Sequence, residues 1–167
     1  MKKLVLSLCL LWAFGNASAQ VSASASPMPK NFCNEFVRTV ASGYIKLADF
    51  QIFDQDQNPI YLTIRKNKNE YIWYLKLPAL GCIKSTDKAY FVFEGGSQYS
   101  LKMMDKMDCK GNVSYDLSER ENQPILVAFL TKRLTQYRLY SEHQSFVSVI
   151  PQQTADNILG VFKCMGW

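Results

Sequence analysis

The chain has a single histidine, His143, so no second histidine completes a metal-binding pair. It has no Cys-x-x-Cys, which removes the usual redox motif, and its cysteines lie too far apart to form the close pairs of a zinc site. No Gly-x-Ser-x-Gly elbow and no phosphate loop occurs. Basic residues are scattered, and beyond the N-terminal Lys2-Lys3 no run exceeds Lys132-Arg133. That pattern describes a solvated surface and speaks against a nucleic-acid partner. After the N-terminal segment no apolar stretch approaches the roughly 20 residues that span a bilayer, so no transmembrane segment is expected. Nothing repeats, and no cofactor is implied. Glycoside hydrolysis needs only two carboxylates in a cleft, so the 14 acidic residues leave that chemistry open.

What is present begins with MKKLVLSLCLLWAFGNASAQ. Lys2 and Lys3 form a charged head, Leu4–Phe14 an apolar run, and Ala17-Ser18-Ala19 the small residues that a signal peptidase reads. Residues 1–19 are therefore expected to be a signal peptide cleaved after Ala19. Cys9 lies inside the apolar run, behind the bulky Leu8, so it does not suit lipid attachment. The expected product is exported, either secreted or periplasmic. Of the 19 basic residues, loss of Lys2 and Lys3 leaves 17 against 14 acidic ones, a net charge of +3. The small, polar, proline-bearing opening predicts a flexible leader over residues 20–31, and residues 32–167 make one domain.

Four cysteines remain after cleavage, Cys33, Cys82, Cys109 and Cys164, and an even count in an exported chain points to disulfides. The stretch Ala89–Cys109 helps to choose the pairing. A three-residue turn at Gly95-Gly96-Ser97 sets Phe93 opposite Tyr99, Phe91 opposite Leu101 and Ala89 opposite Met103, sorting apolar from polar side chains. Extended backward, that register sets Cys82 opposite Lys110, one residue from Cys109. The turn-rich segments at Ser85–Asp87 and Lys106–Asp108 can absorb the offset. Cys82–Cys109 is the pair this favours, which leaves Cys33 to join Cys164.

Elsewhere, Cys33, Phe36, Val37, Val40 and Ala41 share a helical face, predicting a helix over Asn34–Ser42 with Cys33 at its inward edge. A strand at Ile45–Phe53 follows, then a hairpin of Pro59–Lys66 and Glu70–Leu77 around Asn67-Lys68-Asn69. After the Gly-Gly hairpin come a strand at Val113–Leu117, a short helix at Pro124–Lys132, and strands at Leu134–Tyr140 and Phe146–Ile150. A last helix at Gln152–Cys164 has Ala155, Ile158, Leu159 and Phe162 as its core stripe. The fold class is α+β: an antiparallel sheet of about 6–8 strands with an N-terminal, a short internal and a C-terminal helix, stabilised by disulfides.

Two motifs invite a functional reading. Asp54-x-Asp56-x-Asn58 opens like a calcium loop, but Pro59 and Arg65 stand where glycine and a bidentate glutamate belong, so it reads as an acidic turn and no metal site. The aromatic residues Tyr61, Tyr71, Trp73, Tyr74 and Tyr90 crowd the central strands, and most read as core or cross-strand pairs. Tyr74 and Lys76 share the face opposite Trp73 and Leu75, and together form a candidate contact surface for a partner. The function expected is that of an exported, non-catalytic module binding a protein or cell-envelope component. The alternative is a secreted protein inhibitor or protective partner of a hydrolase. Small-ligand binding or catalysis would call for a deep apolar pocket with converging polar groups.

Overall fold

The computed structural model describes residues 29–40, 43–77, 82–141 and 145–166. The expected signal peptide, most of the expected leader, and His143 lie outside the described residues. In chain order the elements are helix α1 (Phe32–Phe36), strands β1 (Arg38–Val40), β2 (Ile45–Phe53), β3 (Pro59–Asn67), β4 (Glu70–Lys76), β5 (Ile83–Lys84), β6 (Lys88–Phe93), β7 (Gln98–Leu101), β8 (Met107–Asp108) and β9 (Asn112–Asp116), helix α2 (Gln123–Thr131), strands β10 (Leu134–Tyr140) and β11 (Ser145–Val149), and helix α3 (Gln152–Met165). All strand pairings are antiparallel. They build a first sheet in the order β1-β2-β3-β4-β9, a second in the order β11-β10-β6-β7, and a small β5–β8 ribbon.

The α+β class holds, and the strand arrangement needs correction. The described residues form 11 strands in three sheets where one sheet of about 6–8 was expected. The additional strands are β1, β5 and β8, of two or three residues each, too short for a period to show. The first helix is also shorter than predicted. Val37, Thr39 and Val40 are β-branched and suit extended backbone, so the chain leaves the helix after Phe36 and pairs Arg38–Val40 with β2. Cys33 is exposed rather than inward, and Leu159 of α3 is half-buried while Val161 is fully buried.

Alternation explains the layers. Ile60, Leu62 and Ile64 of β3 point inward beside Tyr71, Trp73 and Leu75 of β4, with Ile64 directly opposite Trp73. Asn67 pairs with Glu70, so the turn is the two residues Lys68-Asn69, and Lys68 takes the positive φ of 46° that such a tight turn requires. The second sheet contributes Ala89, Phe91, Phe93, Tyr137, Leu139 and Phe146. Phe129 of α2 and Phe162 of α3 stack at 4.6 Å, and Trp73 meets Phe129 at 4.8 Å and Phe91 edge-on at 5.5 Å. Each such ring contributes about 1.5–3 kcal/mol through burial alone. Two hydrogen bonds tie the first sheet to β11 and to the segment that follows β7. The Met104 N–H donates to the Ser114 carbonyl at 2.9 Å, and the buried Ser148 hydroxyl donates to the Phe53 carbonyl at 2.6 Å.

The Gly-Gly hairpin differs in register from the sequence reading. Phe91 stands opposite Tyr99 and Ala89 opposite Leu101, and the turn is Glu94-Gly95-Gly96, closed by the Phe93 N–H on the Ser97 carbonyl at 2.9 Å. Both glycines sit near φ +80°, where a side chain would be strained. The shift is two residues, one full strand period, so every side chain keeps its expected face.

The C-terminal end of α3 rests on the first sheet. Lys46 Nζ donates to the Met165 carbonyl at 3.2 Å, Lys66 Nζ donates to the carbonyls of Met165 at 3.0 Å and of Gly166, and the Tyr71 hydroxyl also donates to Gly166. The last carbonyls of a helix lack intrahelical partners and carry the negative end of its dipole, so two cations here satisfy both demands. Burial pulls the Lys66 ammonium below its ordinary range, and raises the Tyr71 phenol.

Candidate functional site

The described residues offer two outward faces. On the first sheet, Asp49, Thr63, Tyr74 and the buried Ser114 form one row across four strands, and Gln51, Tyr61, Lys76 and Asn112 form the next. Tyr74 is half-buried, with the Arg65 guanidinium 5.3 Å above its ring, while Lys76 is exposed beside Tyr61, which is 55% exposed. The surface read from the sequence is thus packed at Tyr74 and open at Lys76. Of the remaining aromatic concentration, Tyr71 and Trp73 are core and Tyr90 lies on the other sheet. Burial raises the Asp49 carboxyl, but the Thr63 hydroxyl at 2.6 Å and the Arg38 guanidinium at 2.6 Å outweigh it and hold the group below the usual carboxylate range.

The second face has an open cleft of about 380 Å³ that the sequence reading did not single out. Its centre is a box of four side chains on the outer face of the second sheet. Tyr90 of β6 lies opposite Arg138 of β10, and Lys88 lies opposite Tyr140. The two cations occupy one diagonal of the box and the two phenols the other, with the rings edge to face at 5.7 Å. Arg138 is half-buried and its Nε donates to Gln136 Oε1 at 2.7 Å. Asp87 also lines the cleft, and its carboxylate accepts the Lys84 N–H at 2.8 Å. The Lys88-x-Tyr90 alternation was readable as an outward pair. Its partners stand some fifty residues on, and only the β6–β10 pairing brings them together.

The remaining perturbed groups are not part of this lining, though the charge of Asp87 from it adds to the rise at Tyr115. Tyr115 and Tyr137 share a buried hydrogen bond of 2.8 Å between their hydroxyls, and burial pushes both phenols far up. Asp54 is held low despite its burial because it accepts the Asn58 amide and the N–H groups of Asn58 and Asp56, which closes the acidic turn upon itself. Asp108 closes a similar turn with Lys110 and Asn112. The Asp156 carboxylate, through its hydrogen bond and charge, raises the Arg133 guanidinium, and Glu94 adds to this at 3.1 Å. Among the described residues, no group of three or more His, Cys, Asp or Glu could hold a metal ion.

The cysteines pair as Cys33–Cys164, with Cα atoms 5.4 Å apart, and Cys82–Cys109, with Cα atoms 3.8 Å apart. Ile83 faces Asp108 in the small ribbon, and one further step of that register sets Cys82 opposite Cys109. The one-residue offset expected between the hairpin and its clasp is taken up between β6–β7 and β5–β8. Two disulfides suit an oxidising environment outside the cytoplasm, and no helix among the described residues is long and apolar enough to cross a membrane. No protein-family model, no curated protein and no solved structure matches this chain.

Proposed function

We propose that the chain is an exported, non-catalytic module that binds a protein or cell-envelope component, released by cleavage after Ala19. The observation that carries this reading is the open cleft on the second sheet. Its side chains are of recognition type, two phenols and two cations. The buried phenols Tyr115 and Tyr137 spend their hydroxyls on each other in the core. The test is retention of envelope and secreted fractions on immobilised, oxidised Gln20–Trp167. A discrete retained component that the Lys88→Gln/Arg138→Gln double variant releases supports the reading. No retained component, or retention indifferent to substitutions on both faces, refutes it.

A second reading, inhibition of a hydrolase, draws on the segment that runs from the end of β7 into β8. Met104 and Met107 are 52% and 58% exposed. Their backbone is fastened by the Met104–Ser114 hydrogen bond, by the Ser85 N–H on the Lys106 carbonyl at 3.0 Å, and by the Cys82–Cys109 clasp. A rigid, exposed loop of this kind suits insertion into another protein's cleft. Inhibition of a hydrolase that disappears on reduction of the disulfides would favour it.

A further inference from the structure

The cleft on the second sheet gathers two cations that no acidic group among the described residues answers. Like charges close together across strands cost stability, and opposite charges gain it. Several cations elsewhere are answered locally: Arg38 meets Asp49 at 2.6 Å, Arg133 lies between Glu94 and Asp156, and Lys46 and Lys66, which face each other across β2 and β3, donate to the last carbonyls of α3. Among the described residues, Lys88 and Arg138 have neither an acidic partner nor a helix end. They stand on one diagonal of the four-residue box, and no acidic residue belongs to the outward rows of β6, β7, β10 and β11. Asp87 lines the cleft but forms no ion pair with either cation. With Nε tied to Gln136, the terminal guanidinium nitrogens of Arg138 keep their donors without a partner among the described residues. On the other diagonal, Tyr140 leaves 42% of its surface open beside Tyr90.

Resting on the binding-module reading, we infer that this box binds an acidic sugar, meaning a saccharide unit that bears a carboxylate or a phosphate. A bare inorganic anion would use the cations and leave the rings idle. A neutral sugar would use the rings and leave two cations uncompensated. An acidic sugar uses both diagonals: its apolar ring face lies on Tyr140, and its anionic group takes the planar fork of Arg138 with Lys88 as a second point charge. Gln98, also in the lining, supplies an amide for hydroxyl groups. At about 380 Å³ the cleft falls within the range of small-ligand sites, ~300–1,000 Å³.

The experiment is calorimetric titration of the oxidised protein with four probes: tetragalacturonate, its fully methyl-esterified form, glucose 6-phosphate and inorganic phosphate. The expected result is binding of tetragalacturonate or glucose 6-phosphate, with the ester and inorganic phosphate at least about tenfold weaker, and with affinity falling as salt rises. The acidic probe that binds identifies the anionic group. Arg138→Gln should weaken that probe about tenfold or more and Tyr140→Ala several-fold, whereas Tyr74→Ala, on the other sheet, should leave it unchanged. Arg138 and Tyr140 both face outward, so unchanged thermal melting of their variants separates lost binding from lost folding. Equal binding of ester and acid, binding no stronger than that of inorganic phosphate, or an equal loss in Tyr74→Ala overturns the assignment. A protein that still retains its envelope component but ignores all four probes overturns the acidic-sugar assignment alone. Failure of both experiments overturns the binding-module reading as well.

Discussion

Replacing a helix glycine by alanine ordinarily stabilises a protein, and at Gly160 of α3 it should do the reverse. A Cβ placed there would lie 2.6 Å from both Cε1 and Cζ of Phe32. Carbon atoms in good contact stand ~3.5–4.0 Å apart, so the ring would have to retreat by about 1 Å. It has little room to do so. Phe32 is 7% exposed, stacks on Phe36 at 4.6 Å, and precedes the cysteine bound to Cys164. Helix propensity favours Gly160→Ala by about 1 kcal/mol, while overpacking costs about 1–3 kcal/mol. The expected net effect is a loss of about 1 kcal/mol. In a Phe32→Ala background the obstruction is gone and the same change should gain about 1 kcal/mol, a coupling of about 2 kcal/mol. Urea denaturation of the four oxidised proteins, compared through midpoints at constant slope, measures it. A Gly160→Ala variant that is more stable than the parent would refute the close approach of α1 to α3.

Phe162→Ala should cost about 3–5 kcal/mol, because it removes a fully buried ring stacked on Phe129, and Lys163→Ala, one exposed position on, should cost little; matching denaturant midpoints would show the helical phase to be wrong. Opening Cys33–Cys164, at a sequence separation of 131, should cost more than opening Cys82–Cys109, at 27. The chain-entropy relation gives about 5 against about 3.6 kcal/mol, which paired Cys→Ser variants test. Asp54 is held below the ordinary carboxylate range in the fold, so its contribution is complete above about pH 4 and is lost as pH falls through the lower folded value. Asp54→Asn cannot titrate and should flatten the fall in stability between about pH 4 and pH 2. An acid limb as steep as the parent's would assign that fall to other carboxylates, Asp49 and Asp108 first.

The elements that could be read ahead were those long enough to show a period. Ile45–Phe53 and Leu134–Tyr140 have the bounds expected, and Ala155, Ile158 and Phe162 mark the buried stripe of α3. The hairpin shows which errors a sequence forgives. Moving Phe91 from Leu101 to Tyr99 is a slip of one full period, so the faces survive and Cys82 still arrives beside Cys109. Helical spacing at Cys33–Ala41 misled because the periodic positions Val37 and Val40 also favour strand, and pairing with β2 decided between them. The box at Lys88, Tyr90, Arg138 and Tyr140 was beyond local reading for a different reason. Each pair alternates outward on its own strand, but nothing within either segment states that β6 and β10 are neighbours.

The clasp between Cys33 and Cys164 also determines how the molecule bears tension. A pull applied to the chain outside these two residues passes from one to the other through a single covalent bond, across Cα atoms 5.4 Å apart, and bypasses both sheets. The 131 residues of separation represent roughly 430–470 Å of extended chain, none of which can be paid out while the bond stands. Tethered in an oxidising space, the domain would act as an inextensible link. Reduction would release that length in two stages, because Cys82–Cys109 withholds the 27 residues of its own loop until it too is opened.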